Sequence, residues 1–293
     1  MQLNDFLFPA PKFEYYFASN YIEELILIPK KSPNDKVETE KDPYIPCLLI
    51  IPPFLPQAHP FKNSNSHNIL IFFHANGEDI FSSRILAFKI SQKLHINVLI
   101  VEYPGYSLYL SSKSSDTILS DSLLVYDYIK QKCCINDNNI FVLGRSIGTS
   151  PAIYLSSNRN PGFLFVISAF TSIRAVAQNV VGFLKVFLHE RFTSIKYIKD
   201  VKCPILFIHG LKDPIIPYTE SQKLKKECKT PFELVINEEM THNDFIPEID
   251  IIAPIEEFIG KHKGYGVKDE QTFDFSLLYD KLPEFILKKI NYA

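Results

Sequence analysis

Three residues, far apart along the chain, have the types and settings that acyl transfer needs. Ser146 lies in Gly144-Arg-Ser-Ile-Gly148, a G-x-S-x-G spacing between an apolar run, Ile140-Phe-Val-Leu143, and Thr149-Ser-Pro-Ala-Ile-Tyr-Leu155, which reads as helix. A serine on a tight strand-to-helix turn has little room, so small residues are required two places either side. The turn lifts the hydroxyl clear of the sheet, and the next helix aims its free N–H groups and the positive end of its dipole at that point. A serine hydroxyl is a weak nucleophile at neutral pH. It needs a base within hydrogen-bond reach, and the base needs a third group to fix its tautomer. Asp213 follows the apolar run Pro204–His209, and His242 follows the run Phe232–Ile236. Nucleophile, acid and histidine thus come in that order, the last two in loops at the carboxyl ends of strands, where open α/β sheets place their sites. Singly, Asp213 reads as a turn cap and His242 as a loop histidine; together they read as a catalytic set.

The reaction also needs donors for an oxyanion. The backbone N–H of Ile147, next to the nucleophile, is one candidate. The second is the N–H of Asn76, in His74-Ala-Asn-Gly-Glu-Asp79, where Ala75 and Gly77 leave the backbone free to curl toward Ser146. His74 is expected to brace that loop, and Asp79 to cap the helix after it. His209 is expected to bond within its own loop. Tyr106, in Tyr103-Pro-Gly-Tyr106, is a candidate for the pocket wall. No His/Asp pair has metal-ligand spacing, so neither a metal nor a cofactor is called for.

These residues need a frame of strands and helices. Strands are expected over 24–29, 45–51, 68–74, 96–101, 140–143, 162–168, 204–209 and 232–236, with the second read as an edge because of its prolines. Helices are expected over 80–94, 115–133, 220–228 and 251–261, with Thr219 as a cap. Repeated βα units imply a mainly parallel eight-stranded sheet with helices on both faces. The chain divides into an N-terminal arm (1–22), one domain (23–263) and a C-terminal tail (264–293). Within the domain, 173–201 breaks the rhythm. Its apolar run Val180–Leu188 suits a short helical cap over a pocket, and equally plain packing at the sheet edge. The tail holds an amphipathic stretch, Leu277–Ile290, interrupted by Pro283. It suits packing back on the domain, with docking to a protein partner as the other reading.

Composition excludes several classes. The net charge of −2 leaves no footprint for nucleic acid. The longest apolar runs fall short of the about 20 residues a membrane span needs. The N-terminal residues lack a basic stretch and a long apolar core, so no secretory signal is expected. Gln2 stands where myristoylation needs a glycine, so that modification is not expected either. Five cysteines at irregular spacing contain no C-x-x-C pair and suit reduced, mostly buried thiols in a cytoplasmic protein.

Five stretches together resemble the α/β-hydrolase family across about residues 20–262: His74–Asp79, Glu102–Tyr106, Gly144–Gly148, His209–Asp213 and Thr241–Asp244. Within it, Gly-x-Ser-Ile-Gly-Thr, Ala169-Phe-Thr-Ser-Ile-Arg174 and His-Asn-Asp are similar to the eukaryotic α/β-hydrolase-domain proteins that strip palmitate from cysteines of membrane-associated proteins. The resemblance implies an α/β-hydrolase fold, Ser146 as nucleophile, Asp213 as acid, His242 as base and a second step with water. Phe170 joins Tyr106 as a substrate-binding candidate. That branch carries an N-terminal cysteine cluster, whereas here no cysteine precedes Cys47. The usual His-Gly-Asn-Ala is His-Ala-Asn-Gly here, a swap of two small residues that preserves the loop.

The expectation is a serine hydrolase of esters or thioesters, with an acylated protein as its substrate and peripheral contact with a membrane. Two alternatives stand beside it. One is a lipid-ester hydrolase or peptidase of the same fold. The other is a catalytically idle subunit that serves a larger assembly through its N-terminal arm or C-terminal tail.

Overall fold

The computed structural model describes residues 10–11, 20–30, 44–52, 67–176, 191–262 and 275–278. The short apolar runs become eight strands: β1 (Leu25–Pro29), β2 (Tyr44–Ile50), β3 (Ile69–Phe73), β4 (Asn97–Val101), β5 (Ile140–Arg145), β6 (Phe163–Ile167), β7 (Ile205–Gly210) and β8 (Phe232–Asn237). They form one sheet in the order β1-β2-β4-β3-β5-β6-β7-β8. β1 and β2, and β2 and β4, pair antiparallel; every other pair is parallel. Placing β4 between β2 and β3 sets β3 and β5 side by side at the centre, so the loops after them emerge together.

Side chains alternate across the sheet. Ile69, Ile71, Phe73, Val142 and Val166 enter one core layer. That layer is covered by α2 (Ser115–Lys132), α3 (Thr149–Asn158) and α5 (Thr219–Glu227) through Val125, Ile129, Ile153 and Leu224. Leu70, Phe72, Phe141, Leu143 and Phe165 enter the other, under α1 (Arg84–Leu94) and α6 (Ala253–Lys261) through Ala87, Ile90, Ile255 and Phe258. A four-residue helix, α4 (Ser194–Tyr197), precedes β7. Helices therefore lie on both faces, as the alternation of strand and helix signals predicts.

Some local expectations need correction. β2 is not an edge: it lies between β1 and β4, and β1 is the outer strand. Its pairing with β4 covers Cys47 to Ile50 only, so Pro46 falls before that ladder and gives its carbonyl to Glu102 N–H (3.0 Å). Asp79 does not cap α1, whose N-cap position is Ser83; its Oδ1 accepts from the N–H groups of Phe81 (3.1 Å) and Ser82 (2.7 Å) and closes the turn before α1. Thr219 is the first residue of α5, after Tyr218 at the N-cap position. Cys47, Cys133 and Cys203 are buried free thiols, but Cys134 is exposed because it follows the last turn of α2.

Of the expected cap segment, 177–190 lie outside the described residues, including the run 180–188. Before and after those residues, Ile173 N–H donates to Arg191 O (3.1 Å). Most of the N-terminal arm and most of the tail also lie outside. Phe275–Leu278 form one 3-10 turn, and Leu278 is buried in the core layer with Val125 and Ile129. Among the described residues, no helix is long and apolar enough to cross a membrane.

Candidate active site

At the end of β5 the chain turns sharply into α3, and Ser146 takes the corner with φ of 53°. That is the left-handed region, which a non-glycine residue enters only where its surroundings hold it. The surroundings are tight. A Cβ on Gly144 would stand 2.6 Å from Thr149 Cα, and one on Gly148 would stand 2.6 Å from the Phe73 carbonyl carbon and 2.7 Å from His74 O. Both glycines are there for space: Gly148 itself has φ of −64°, open to any residue. Through Gly148 the corner presses on the end of β3, which brings Ser146 beside the loop His74–Asp79.

Ser146, His242 and Asp213 meet at this rim. His242 Nε2 lies 3.0 Å from Ser146 Oγ, and His242 Nδ1 lies 2.7 Å from Asp213 Oδ2. A carboxylate only accepts, so Nδ1 carries the proton and Nε2 accepts from the serine hydroxyl. Asp213 is held from behind: its Oδ1 accepts from the N–H groups of Ile215 (2.9 Å) and Ile216 (2.8 Å). Burial pushes its carboxyl up. The imidazoles of His209, 3.6 Å away, and His242, with the Ile216 N–H, outweigh burial and hold it well below the usual carboxylate range. Asp213 thus favours its ionised form, facing Nδ1 of His242. His209 bonds as expected within its loop, with Nε2 donating to Ile216 O (2.8 Å), and it also reaches Ser221 Oγ (2.7 Å).

The loop after β3 is braced from three sides. His74 is fully buried, with Nε2 3.1 Å from Glu102 Oε1, and burial pulls its pKa down while the Glu102 carboxylate overrides this and raises it. Tyr103 donates from its hydroxyl to His74 O (2.7 Å), and Tyr106 from its hydroxyl to Asn76 Oδ1 (2.7 Å). Gly77 sits at φ of 77°, which turns the backbone after Asn76. Asn76 and Ile147 are thereby placed on the two loops that meet at Gly148. Tyr106 and Phe170 are each only 1% exposed and belong to the core layer that also holds Ile147, so each is a packed wall more than an open surface.

A serine at positive φ after β5 stands in hydrogen-bonded line with a histidine after β8 and an aspartate after β7, on this strand order. The fold is that of the α/β hydrolases. Residues 127–250 match a family described as "Serine hydrolase (FSH1)". Among curated relatives, the alpha/beta hydrolase domain-containing protein aho-3 of Caenorhabditis elegans is 28% identical over 180 residues, 61% of this chain and 54% of that protein. The human alpha/beta hydrolase domain-containing protein 17B is 24% identical over 180 residues, 61% of this chain and 62% of that one. The match thus spans less than two thirds of either relative. Among solved structures, the Pyrococcus furiosus esterase Pf2001 superposes with a TM-score of 0.63 at 16% identity, over 87% of this chain and 98% of that one. A puromycin-hydrolysing peptidase of Mycobacterium tuberculosis gives 0.59 at 13% identity, over 77% and 38%. These likenesses speak for the fold.

Three charged residues around the site carry no role in the sequence pattern. Glu102 receives the N–H groups of Tyr103 (2.9 Å) and Ile80 (3.3 Å) besides His74. Glu78 accepts from Ala75 N–H (3.2 Å) and Ser83 Oγ (3.0 Å). Arg145, the variable position between Gly144 and Ser146, pairs with Glu78 and with the His242 loop.

Proposed function

We propose that this protein of α/β-hydrolase fold is a serine hydrolase that cleaves an ester or thioester through an acyl-enzyme. One observation carries the reading: Ser146 Oγ, the His242 ring and Asp213 stand in one hydrogen-bonded line, at 3.0 and 2.7 Å, on a serine held at a strained corner. Ser146 Oγ attacks the carbonyl carbon while its proton passes to His242 Nε2. Asp213, already ionised, stabilises the imidazolium that results. The oxyanion is received by the N–H groups of Asn76 and Ile147, and each such donor is typically worth about 3 kcal/mol in the transition state. Collapse expels the alcohol or thiol with the proton from Nε2. Water then repeats the cycle on the acyl-serine and releases the acid.

A protein S-acyl thioester is the preferred substrate class. Its support is the resemblance of Gly144–Thr149, Ala169–Arg174 and His242–Asp244 to the depalmitoylating branch. Cytoplasmic placement with peripheral contact to a membrane follows from that class of substrate.

A fluorophosphonate probe tests the chemistry. The wild-type protein should be labelled and Ser146→Ala should not. Turnover of a panel of p-nitrophenyl esters and acyl thioesters of increasing chain length should fall by about 10⁴ to 10⁶ in Ser146→Ala. Wild-type protein that resists the probe, and co-purifies in a stoichiometric complex, would instead be the idle subunit.

A further inference from the structure

The proposed reaction leaves Arg145 without a role, yet its surroundings are not those of a spacer. Along β5, Phe141 and Leu143 point into the layer under α1 and α6, and Arg145 follows on the same face. Its side chain is 5% exposed. A guanidinium is costly in such a place unless it is paired.

Its fork reaches two loops at once. Nη1 donates to Glu78 Oε1, in the loop after β3. Nη2 donates to the carbonyl oxygen of His242 (2.8 Å) and to Asn243 Oδ1 (3.1 Å), in the loop after β8. The guanidinium carbon stands 5.0 Å from the centre of the Phe245 ring. Glu78 passes the link on, since its other oxygen takes Ala75 N–H (3.2 Å), next to Asn76. Burial pushes the Glu78 carboxyl up, but Arg145 and His74 reverse this and lower it. The turn that carries His242 closes on itself, with Thr241 N–H donating to Asp244 O (3.0 Å) and Asp244 N–H to Thr241 Oγ1 (2.9 Å). Arg145 fastens this closed turn to the elbow. Its Nε is buried with no partner among the described residues, so the fork is aimed by its two Nη groups while the third donor goes unmet.

We propose that Arg145 is a positioning residue that holds the backbone of His242 and, through Glu78, the Ala75–Asn76 loop at fixed distances from the adjoining Ser146. A planar fork suits this better than an ammonium, because its donors are fixed relative to one another and spaced to reach two loops, whereas the three donors of an ammonium sit on one atom at the end of a flexible stem. The inference rests on the serine hydrolase reading.

The test uses the full chain and a p-nitrophenyl ester, with active serines counted by fluorophosphonate titration. A variant that merely folds less well loses active sites, whereas one with displaced loops loses turnover at each site. Arg145→Met should lower kcat per active serine by about 100-fold, the cost of roughly 1 Å of misplacement. KM should change by less than about threefold, since binding is not what is lost. Arg145→Lys keeps the charge but not the fork and should fall by about 10-fold. Arg145→Met/Glu78→Gln should be no slower than Arg145→Met alone, because both act through one link. Turnover per site within about twofold of wild type in Arg145→Met would overturn the proposal. If that variant does not fold, full turnover per site in Arg145→Lys would overturn it equally. If wild-type protein takes up no probe, it is the hydrolase reading that fails.

Discussion

Gly148→Ala is the sharpest test of how the elbow is built. The backbone at Gly148 lies at φ −64° and ψ −15°, where alanine is as comfortable as glycine, so conformational strain contributes nothing. What changes is space. The added Cβ would stand 2.6 Å from the Phe73 carbonyl carbon, about 0.9 Å inside the ~3.5 Å at which carbon atoms rest. The obstacle is main chain on β3, held on both sides by β4 and β5, so no rotamer change relieves it. Overpacking of this kind costs about 1–3 kcal/mol. At about 2–4 °C per kcal/mol for a domain of this size, Tm should fall by roughly 2–12 °C. If the elbow takes up half of the overlap, Ser146 moves by about half an ångström. If it takes up all of it, the shift nears the 1 Å that can cost about 100-fold in rate. The expected loss is therefore about 10- to 100-fold in kcat per phosphonate-titrated site. Gly260→Ala is the matched control: it lies in α6 with nothing within 4 Å of the new methyl, and should raise stability by about 0.5–1 kcal/mol. Gly148→Ala with wild-type turnover and Tm would refute the packing argument.

Three further outcomes are expected. Asp213→Asn should cost about 10⁴-fold in kcat on a p-nitrophenyl ester, because an amide no longer enforces the Nδ1–H tautomer of His242. Tyr106→Phe should lower kcat by about fivefold with little change in Tm, since it frees Asn76 Oδ1 from one bond worth about 1 kcal/mol. The third concerns pH. The pKa of His74 is raised on folding: burial opposes this, but Glu102 prevails. A raised pKa means that protonated His74 adds stability in full below its unfolded value of about 6.5, and that this is lost as pH rises through the folded value. Thermal melts between about pH 6 and 9 should show Tm falling with pH in wild type and a flatter profile in His74→Asn; equal slopes would refute it.

How far the fold could be read in the sequence depends on what each signal reports. Parallel strands buried on both faces are unbroken apolar runs, so 69–73, 97–101, 163–167 and 205–210 stood out by composition alone. The order of those strands did not, because β4 reaches its place between β2 and β3 by a crossover that leaves no mark on local pattern. The prolines misled about β2 for a related reason. A missing N–H matters only where a neighbour needs it, and Pro46 precedes the residues that pair with β4.

The site divides along the same line. Ser146, Asp213 and His242 were legible because their chemistry dictates both residue type and place at a strand end. Glu78, Glu102 and Arg145 were not, because an acid in a loop or an arginine at a spacer position reads by default as solvated. One signal was available. Phe141 and Leu143 alternate inward along β5, and continuing that period of two puts Arg145 inside as well. A cation that the strand period forces into a core must find an anion and carbonyl oxygens there, or the fold loses several kcal/mol. Since such partners can come only from loops at the same sheet edge, a buried arginine beside a nucleophilic serine already implies that neighbouring loops are tied to it. Here the tied loops are the one carrying His242 and the one carrying Ala75 and Asn76, so the guanidinium that would otherwise destabilise the core joins the two loops on which the proposed mechanism depends.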